Sequence, residues 1–221
     1  MKKMLTAGII TILSTTTAPS FAADGNFFVN ADAGQSRYHV SSPFGQSYTS
    51  NIDKTDTGGA LRLGYRWQSV VDFGVEAGYA DLGSGKLDYS SKYSVPLKVI
   101  GHDDFKSRGP MLGGNLKYNI VDGWYASARG GWFRSKFDEK GTIFTRSCGE
   151  ELCHTVNQAY NQSSTSTGEY FGLGTGYDFS PRFSLGMSYD IYHLNLNGEH
   201  SYVGMSIHSI ALYSLSAEYR F

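Results

Sequence analysis

The sequence predicts an all-β protein, an eight-stranded antiparallel up-and-down transmembrane barrel. Three observations carry that reading. The 221 residues hold 27 Gly, 16 Tyr and 13 Phe but only 5 Pro, a balance that favours strands over helices. Apolar and polar residues alternate with a period of two over stretches long enough to cross a bilayer as strands. The connections between those stretches alternate between short and long.

The alternation is clearest at the C-terminus. Ala211, Tyr213, Leu215, Ala217, Tyr219 and Phe221 share one face, while Ser214, Ser216, Glu218 and Arg220 share the other. That pattern holds for about ten residues, the length a tilted strand needs to span the hydrocarbon. Seven further segments repeat it. Phe27, Val29, Ala31 and Ala33 alternate with Asn30, Asp32 and Gly34; Leu61, Leu63 and Tyr65 with Ala60, Arg62 and Gly64. Phe73, Val75, Ala77 and Tyr79 alternate with Gly74, Glu76 and Gly78; Leu112, Leu116 and Tyr118 with Gly113, Asn115 and Lys117. Trp124, Ala126, Ala128 and Trp132 alternate with Tyr125, Ser127 and Arg129. Phe171, Leu173 and Tyr177 alternate with glycines, and Phe183, Leu185, Met187 and Tyr189 with Ser184, Gly186, Ser188 and Asp190.

Short connections are expected at 67–71, 119–123 and 180–182, and four long external loops at about 38–57, 82–107, 135–167 and 194–207. Outer-membrane barrels join their strands in this way. A soluble barrel hides its apolar face inside. It would have to bury Arg62, Glu76 and Arg129 beneath a wet aromatic surface. Lipid outside and polar packing inside satisfies both faces. Aromatics also gather where the short turns begin and end, as in an interfacial girdle.

Residues 1–22 read as a secretory signal peptide: Lys2 and Lys3, a short apolar stretch, then Ser20-Phe21-Ala22 before the cleavage point. The barrel domain is then 23–221, placed in the outer membrane of a Gram-negative bacterium. Removing two lysines from the 19 basic residues leaves 17 against 20 acidic ones, a net charge of −3. Nucleic acid finds no basic footprint on such a chain.

The two cysteines, Cys148 and Cys153, most simply close a small disulfide loop in an exported protein. A metal reading would recruit His154, Glu150 or Glu151, but the four well-spaced ligands of a zinc site are not there. No cofactor motif appears.

Gly58-Gly59-Ala60-Leu61-Arg62-Leu63-Gly64-Tyr65 and Gly74-Val75-Glu76-Ala77-Gly78-Tyr79-Ala80-Asp81-Leu82-Gly83 resemble the OmpA transmembrane-domain (Opa/OmpX-type) family, as does the segment 27–34. The resemblance implies a small outer-membrane barrel with surface loops. Tyr219 and Phe221 resemble the C-terminal assembly signal of such barrels, which implies the barrel assembly machinery as a partner. Glu76 matches an interior glutamate that forms a gating ion pair in OmpA. The arginine partner is not matched, because Gly186 stands there. A hairpin centred near Ser69 places Arg62 directly opposite Glu76 and offers a replacement pair.

An eight-stranded barrel is just wide enough for its own side chains. Asp32, Arg62, Glu76 and Arg129 are the expected interior polar cluster, leaving a narrow pore or none. The function expected is structural or adhesin-like, with external loops meeting an extracellular ligand or host surface and the wall meeting outer-membrane lipid and lipopolysaccharide. The alternative is a lipid A-modifying acyl hydrolase or acyltransferase, to which His39 and Ser41 on one strand face would be relevant. No acidic partner for them is evident, and no catalytic residue is assigned.

Overall fold

The computed structural model describes residues 25–41, 47–92, 97–149, 152–196 and 206–221. The expected signal peptide lies outside them. Nine strands follow in chain order: β1 (Gly25–Ser41), β2 (Tyr48–Asp53), β3 (Thr55–Trp67), β4 (Asp72–Ser91), β5 (Leu97–Val121), β6 (Trp124–Cys148), β7 (Cys153–Ser180), β8 (Phe183–Leu196) and β9 (Ser206–Arg220). The sheet runs β2-β4-β3-β1-β9-β8-β7-β6-β5, and β5 pairs back to β4. Eight strands thus close a ring, every pairing antiparallel, and the short β2 adds to the upper part of β4. Closure leaves no open edge within the bilayer, which lipid requires of any sheet.

The outer face is apolar and open. Leu173 and Leu215 are 67% and 69% exposed, values no water-soluble fold of this size tolerates over a continuous band. Tyr65, Trp67, Phe73, Trp124, Tyr177 and Phe179 ring the end with the short turns, with Trp67 stacked on Phe73 at 5.4 Å. One of those turns is Asp122-Gly123, both at positive φ (47° and 87°), the conformation a two-residue hairpin loop demands.

Two expectations are corrected. Most of the segments 82–107 and 135–167 are strand rather than loop. The β4–β5 ladder continues to Ser90 opposite Ile100, and the β6–β7 ladder to Cys148 opposite Cys153. Above the membrane neither face meets lipid, so the apolar alternation stops while the hydrogen-bond ladder does not. The second correction is register. Arg62 lies opposite Gly78 and Glu76 opposite Gly64, so the turn is centred at Val70, one residue later than expected. Ser69 N–H donates to Asp72 Oδ1 (2.9 Å) and fixes this longer turn. Because each strand moves by one relative to the centre, both charges stay on the inner face.

A bulge in β4 changes that parity once. The register with β5 slips between Asp81 and Ser84, and Gly83 turns through φ +70°. Below it, even-numbered residues of β4 point inward; above it, Leu87 and Tyr89 do. Asp81 Oδ1 accepts the Gly83 N–H (3.0 Å), and Asp56 Oδ2 accepts both the N–H and hydroxyl of Ser84 (2.7 Å each). Those bonds hold Asp56 below the usual carboxylate range against the opposing effect of its burial.

Candidate functional site: a charged interior beneath a projecting sheet

Each strand sends every second side chain inward, so eight strands supply a stack of layers. The middle layer contains all four residues of the expected polar cluster. Arg62, fully buried, pairs with Asp32 through Nη1, reaches Glu76 Oε1 at 3.6 Å through Nε, and reaches Asp190 Oδ1 at 3.7 Å through Nη2. Arg129 grips Asp190 with two bonds of 2.7 and 3.0 Å and lies 3.5 Å from Asp32. The Tyr170 hydroxyl donates to Glu76 (2.7 Å), and Arg62 Nη2 donates to the Tyr192 hydroxyl (3.2 Å). Arg62 and Glu76 are therefore diagonal neighbours in a shared network, not an isolated facing pair.

A second polar layer, nearer the short turns, was not foreseen as a unit. Arg66 makes a bidentate pair with Glu218 (2.8 and 3.0 Å) and donates to Asn115 (2.8 Å). Lys117 and Arg220 both bond Asp178 (2.7 and 2.8 Å). The two layers together place five cations, Arg62, Arg66, Lys117, Arg129 and Arg220, among five carboxylates, Asp32, Glu76, Asp178, Asp190 and Glu218. Buried charge is tolerable because each of these groups meets an opposite charge, although Asp32 Oδ1, Arg62 Nε and Arg220 Nε are left without a hydrogen bond.

Above the charges lies an apolar layer. Tyr38, Leu82, Phe105, Phe133, Phe137 and Tyr192 are fully buried there, with Phe133 edge-on to Tyr192 at 4.9 Å. Side chains fill most of the interior, and a cavity of about 30 Å³ remains between the two polar layers, lined by Asn30, Arg66, Glu76, Asn115 and Arg129.

Beyond the mouth the wall continues on one side. The strands β5, β6 and β7 have 25, 25 and 28 residues, where a membrane crossing takes about ten. β7 parts from β8 above Glu169 and runs on to Cys153, about 50 Å of strand at ordinary rise. Cys148 and Cys153 face each other across the tip and are joined by a disulfide. The free side of β7 over 153–168 has no ladder partner among the described residues, and it carries no Pro, Lys, Arg, Asp or Glu. At the base of the outer wall Lys106, Arg108, Lys136 and Lys140 border a cleft of about 540 Å³, interleaved with Asp104 and Asp138.

Residues 8–221 match the family model of the outer membrane protein beta-barrel domain. The chain belongs to that family. It is an outer-membrane protein of a Gram-negative bacterium. OprG from Pseudomonas aeruginosa is 14% identical, with 90% of this chain and 97% of that one aligned at a TM-score of 0.53. Ail, the attachment invasion locus protein of Yersinia pestis, is 20% identical over 90% and 99% of the two chains (TM-score 0.46). Neisserial surface protein A is 12% identical over 88% and 97% (TM-score 0.40). No curated protein matches in sequence. The likeness to OprG bears on the fold alone.

Tyr219 and Phe221 sit on the lipid face with their rings 5.1 Å apart, and Phe221 N–H donates to Phe27 O (2.9 Å). His39 points outward; the Ser41 side chain lies outside the described residues. The ladder shows what periodicity along one strand hides: Glu169, His193, Ser209 and His39 stand in one row on adjacent strands β7, β8, β9 and β1. No side-chain hydrogen bond or ion pair joins them among the described residues. No group of three or more His, Cys, Asp or Glu gathers as a metal site among those residues either.

Proposed function

We propose that the protein is a closed, surface-interaction barrel of adhesin-like type, anchored by its lipid-facing wall and binding through the projecting sheet. The observation that carries this reading is the extension of β5, β6 and β7 far past the membrane above an interior packed with side chains. A diffusion pore needs neither feature. An uninterrupted edge strand is a template for pairing, which folds usually blunt with charge or proline. Here it is left polar and plain, so an extended segment of an extracellular or host protein can add to it. The basic cleft at its base faces the level of the outer leaflet, where lipopolysaccharide phosphates are its natural counter-charge. Tyr219 and Phe221 are the proposed contact with the assembly machinery.

Replacing residues 140–161 by a two-residue turn should abolish binding of the intact cell to an extracellular matrix panel. Surface level and heat-modifiable gel migration should stay unchanged. The Cys148→Ser, Cys153→Ser pair should weaken binding less, since so short a loop contributes roughly 2–3 kcal/mol at most, and locally. Full binding by the shortened protein would refute the reading.

A second reading has one observation in its favour. Glu169, His193 and Ser209 form a row beside Trp132 and Phe171, at the top of the apolar band. Those residue types, at the lipid surface, are those of a serine acyl hydrolase. Fatty-acid release from outer-membrane lipid by the wild type, lost in Ser209→Ala, would establish it.

A further inference from the structure

The inner face of the projecting sheet carries two fully buried carboxylates that the polar layers below do not use. Asp103 of β5 and Glu139 of β6 are each 0% exposed. Asp103 pairs with Gly141 in the ladder and Phe105 with Glu139, so the carboxylates are diagonal neighbours, about 7 Å apart at their Cβ atoms. Neither Asp103 oxygen has a hydrogen-bond partner, and no described cation forms an ion pair with it. A buried ionised carboxylate in that condition costs several kcal/mol unless something positive meets it.

The surroundings fix what can meet it. From β4 the facing residues are Leu87 and Tyr89, and from β5 itself Gly101 and Phe105. From β6 they are Phe137, Glu139 and Gly141, and from β7 Tyr160, Gln162 and Ser164. None is a cation. Lys106, Lys136, Lys140, His102, Asp104 and Asp88 all lie on the opposite face. A Cβ at Gly141 would collide with Asp103 Oδ1 and with the Tyr160 hydroxyl, so the glycine keeps open the space over which the carboxylate leans. Among the described residues, the polar groups on this face are oxygens and amides.

We propose that Asp103 and Glu139 bind a hard divalent cation, Ca²⁺ in the outer environment, on the inner face of the projecting sheet. Ca²⁺ takes its remaining oxygens from amides, hydroxyls and water, so the two carboxylates, with the Gln162 amide beside Glu139, are the protein's share. The ion ties β5, β6 and β7 together just above the aromatic layer. Burial, then the charge of Glu139, raises the Asp103 carboxyl to about 7. The ion therefore competes with a proton, and its stabilising effect grows as pH rises past neutrality.

The test uses the mature chain, refolded in lipopolysaccharide-free micelles and stripped with chelator. Titration calorimetry with CaCl₂ at pH 7.5 should detect one site per chain. Asp103→Asn and Glu139→Gln should each weaken it at least tenfold, and Asp104→Asn, one residue along on the outer face, should leave it unchanged. The rise in Tm on adding Ca²⁺ should be small at pH 5 and large at pH 8, and absent in Asp103→Asn at both. Heat-modifiable migration certifies that each variant is folded. A wild type that takes up no Ca²⁺, or an Asp103→Asn variant that binds it equally, overturns the proposal. A pair that merely shares a proton gives the first of these results, with a pH-dependent Tm indifferent to Ca²⁺.

Discussion

Arg62→Met should cost the folded barrel about 3–5 kcal/mol, the largest effect expected of any single charge removal in this protein. The guanidinium is the hub of the middle layer: it meets Asp32, Glu76 and Asp190 at once, with no exposure to water. Met fills much of the volume but leaves three carboxylates with Arg129 as their nearest remaining cation. Denaturant titration in micelles, followed by tryptophan fluorescence, measures the loss. Glu76→Gln should cost less, because the Tyr170 hydroxyl still has an oxygen to meet at that position. The Arg62→Met, Glu76→Gln double variant should be more stable than the two single losses add to, with a coupling of about 0.5–3 kcal/mol. Strict additivity would mean that the two groups do not share a network.

Phe133→Ala should cost a similar amount, about 3–5 kcal/mol, for a different reason. The ring is fully buried in the layer that caps the charges and packs edge-on against Tyr192. Removing it opens a cavity bounded by strands that hydrogen-bond all round and cannot collapse inward. Water entering that space would also reach the Tyr192 hydroxyl and, beneath it, Arg62. Leu173→Ala is the control on the outer wall, at a residue 67% exposed to lipid. Lipid tails refill the space left there, so its cost should be clearly smaller. Equal costs for the two would place the packed core elsewhere.

The barrel was legible because lipid imposes a rule on sequence: Leu173 and Leu215 must be apolar, and their neighbours need not be. Face assignment for Asp32, Arg62, Glu76 and Arg129 followed from parity alone. Register did not, since Ser69 and Val70 are equally good turn centres until Asp72 is seen to accept the Ser69 N–H. The aromatic cap was hidden because Tyr170 and Tyr192 point inward beside outward Phe171 and Ile191, so no contrast in hydropathy marks the faces. The projecting sheet was illegible for a related reason. With water on its outer face, Thr155, Asn157, Asn161 and Ser163 bear no apolar signature of pairing, and only the backbone ladder reveals them as strand. The Glu169–His193–Ser209 row and the Asp103–Glu139 pair span strands far apart in sequence. No single-strand pattern brings them together.

Single-channel recording of the purified mature chain in planar bilayers tests the sealed interior most directly. Five cations paired with five carboxylates under an aromatic layer predict a flat baseline, with openings appearing only when the packing is broken, as in Phe133→Ala. Steady step conductance from the wild type would contradict the account and return the protein to the channels.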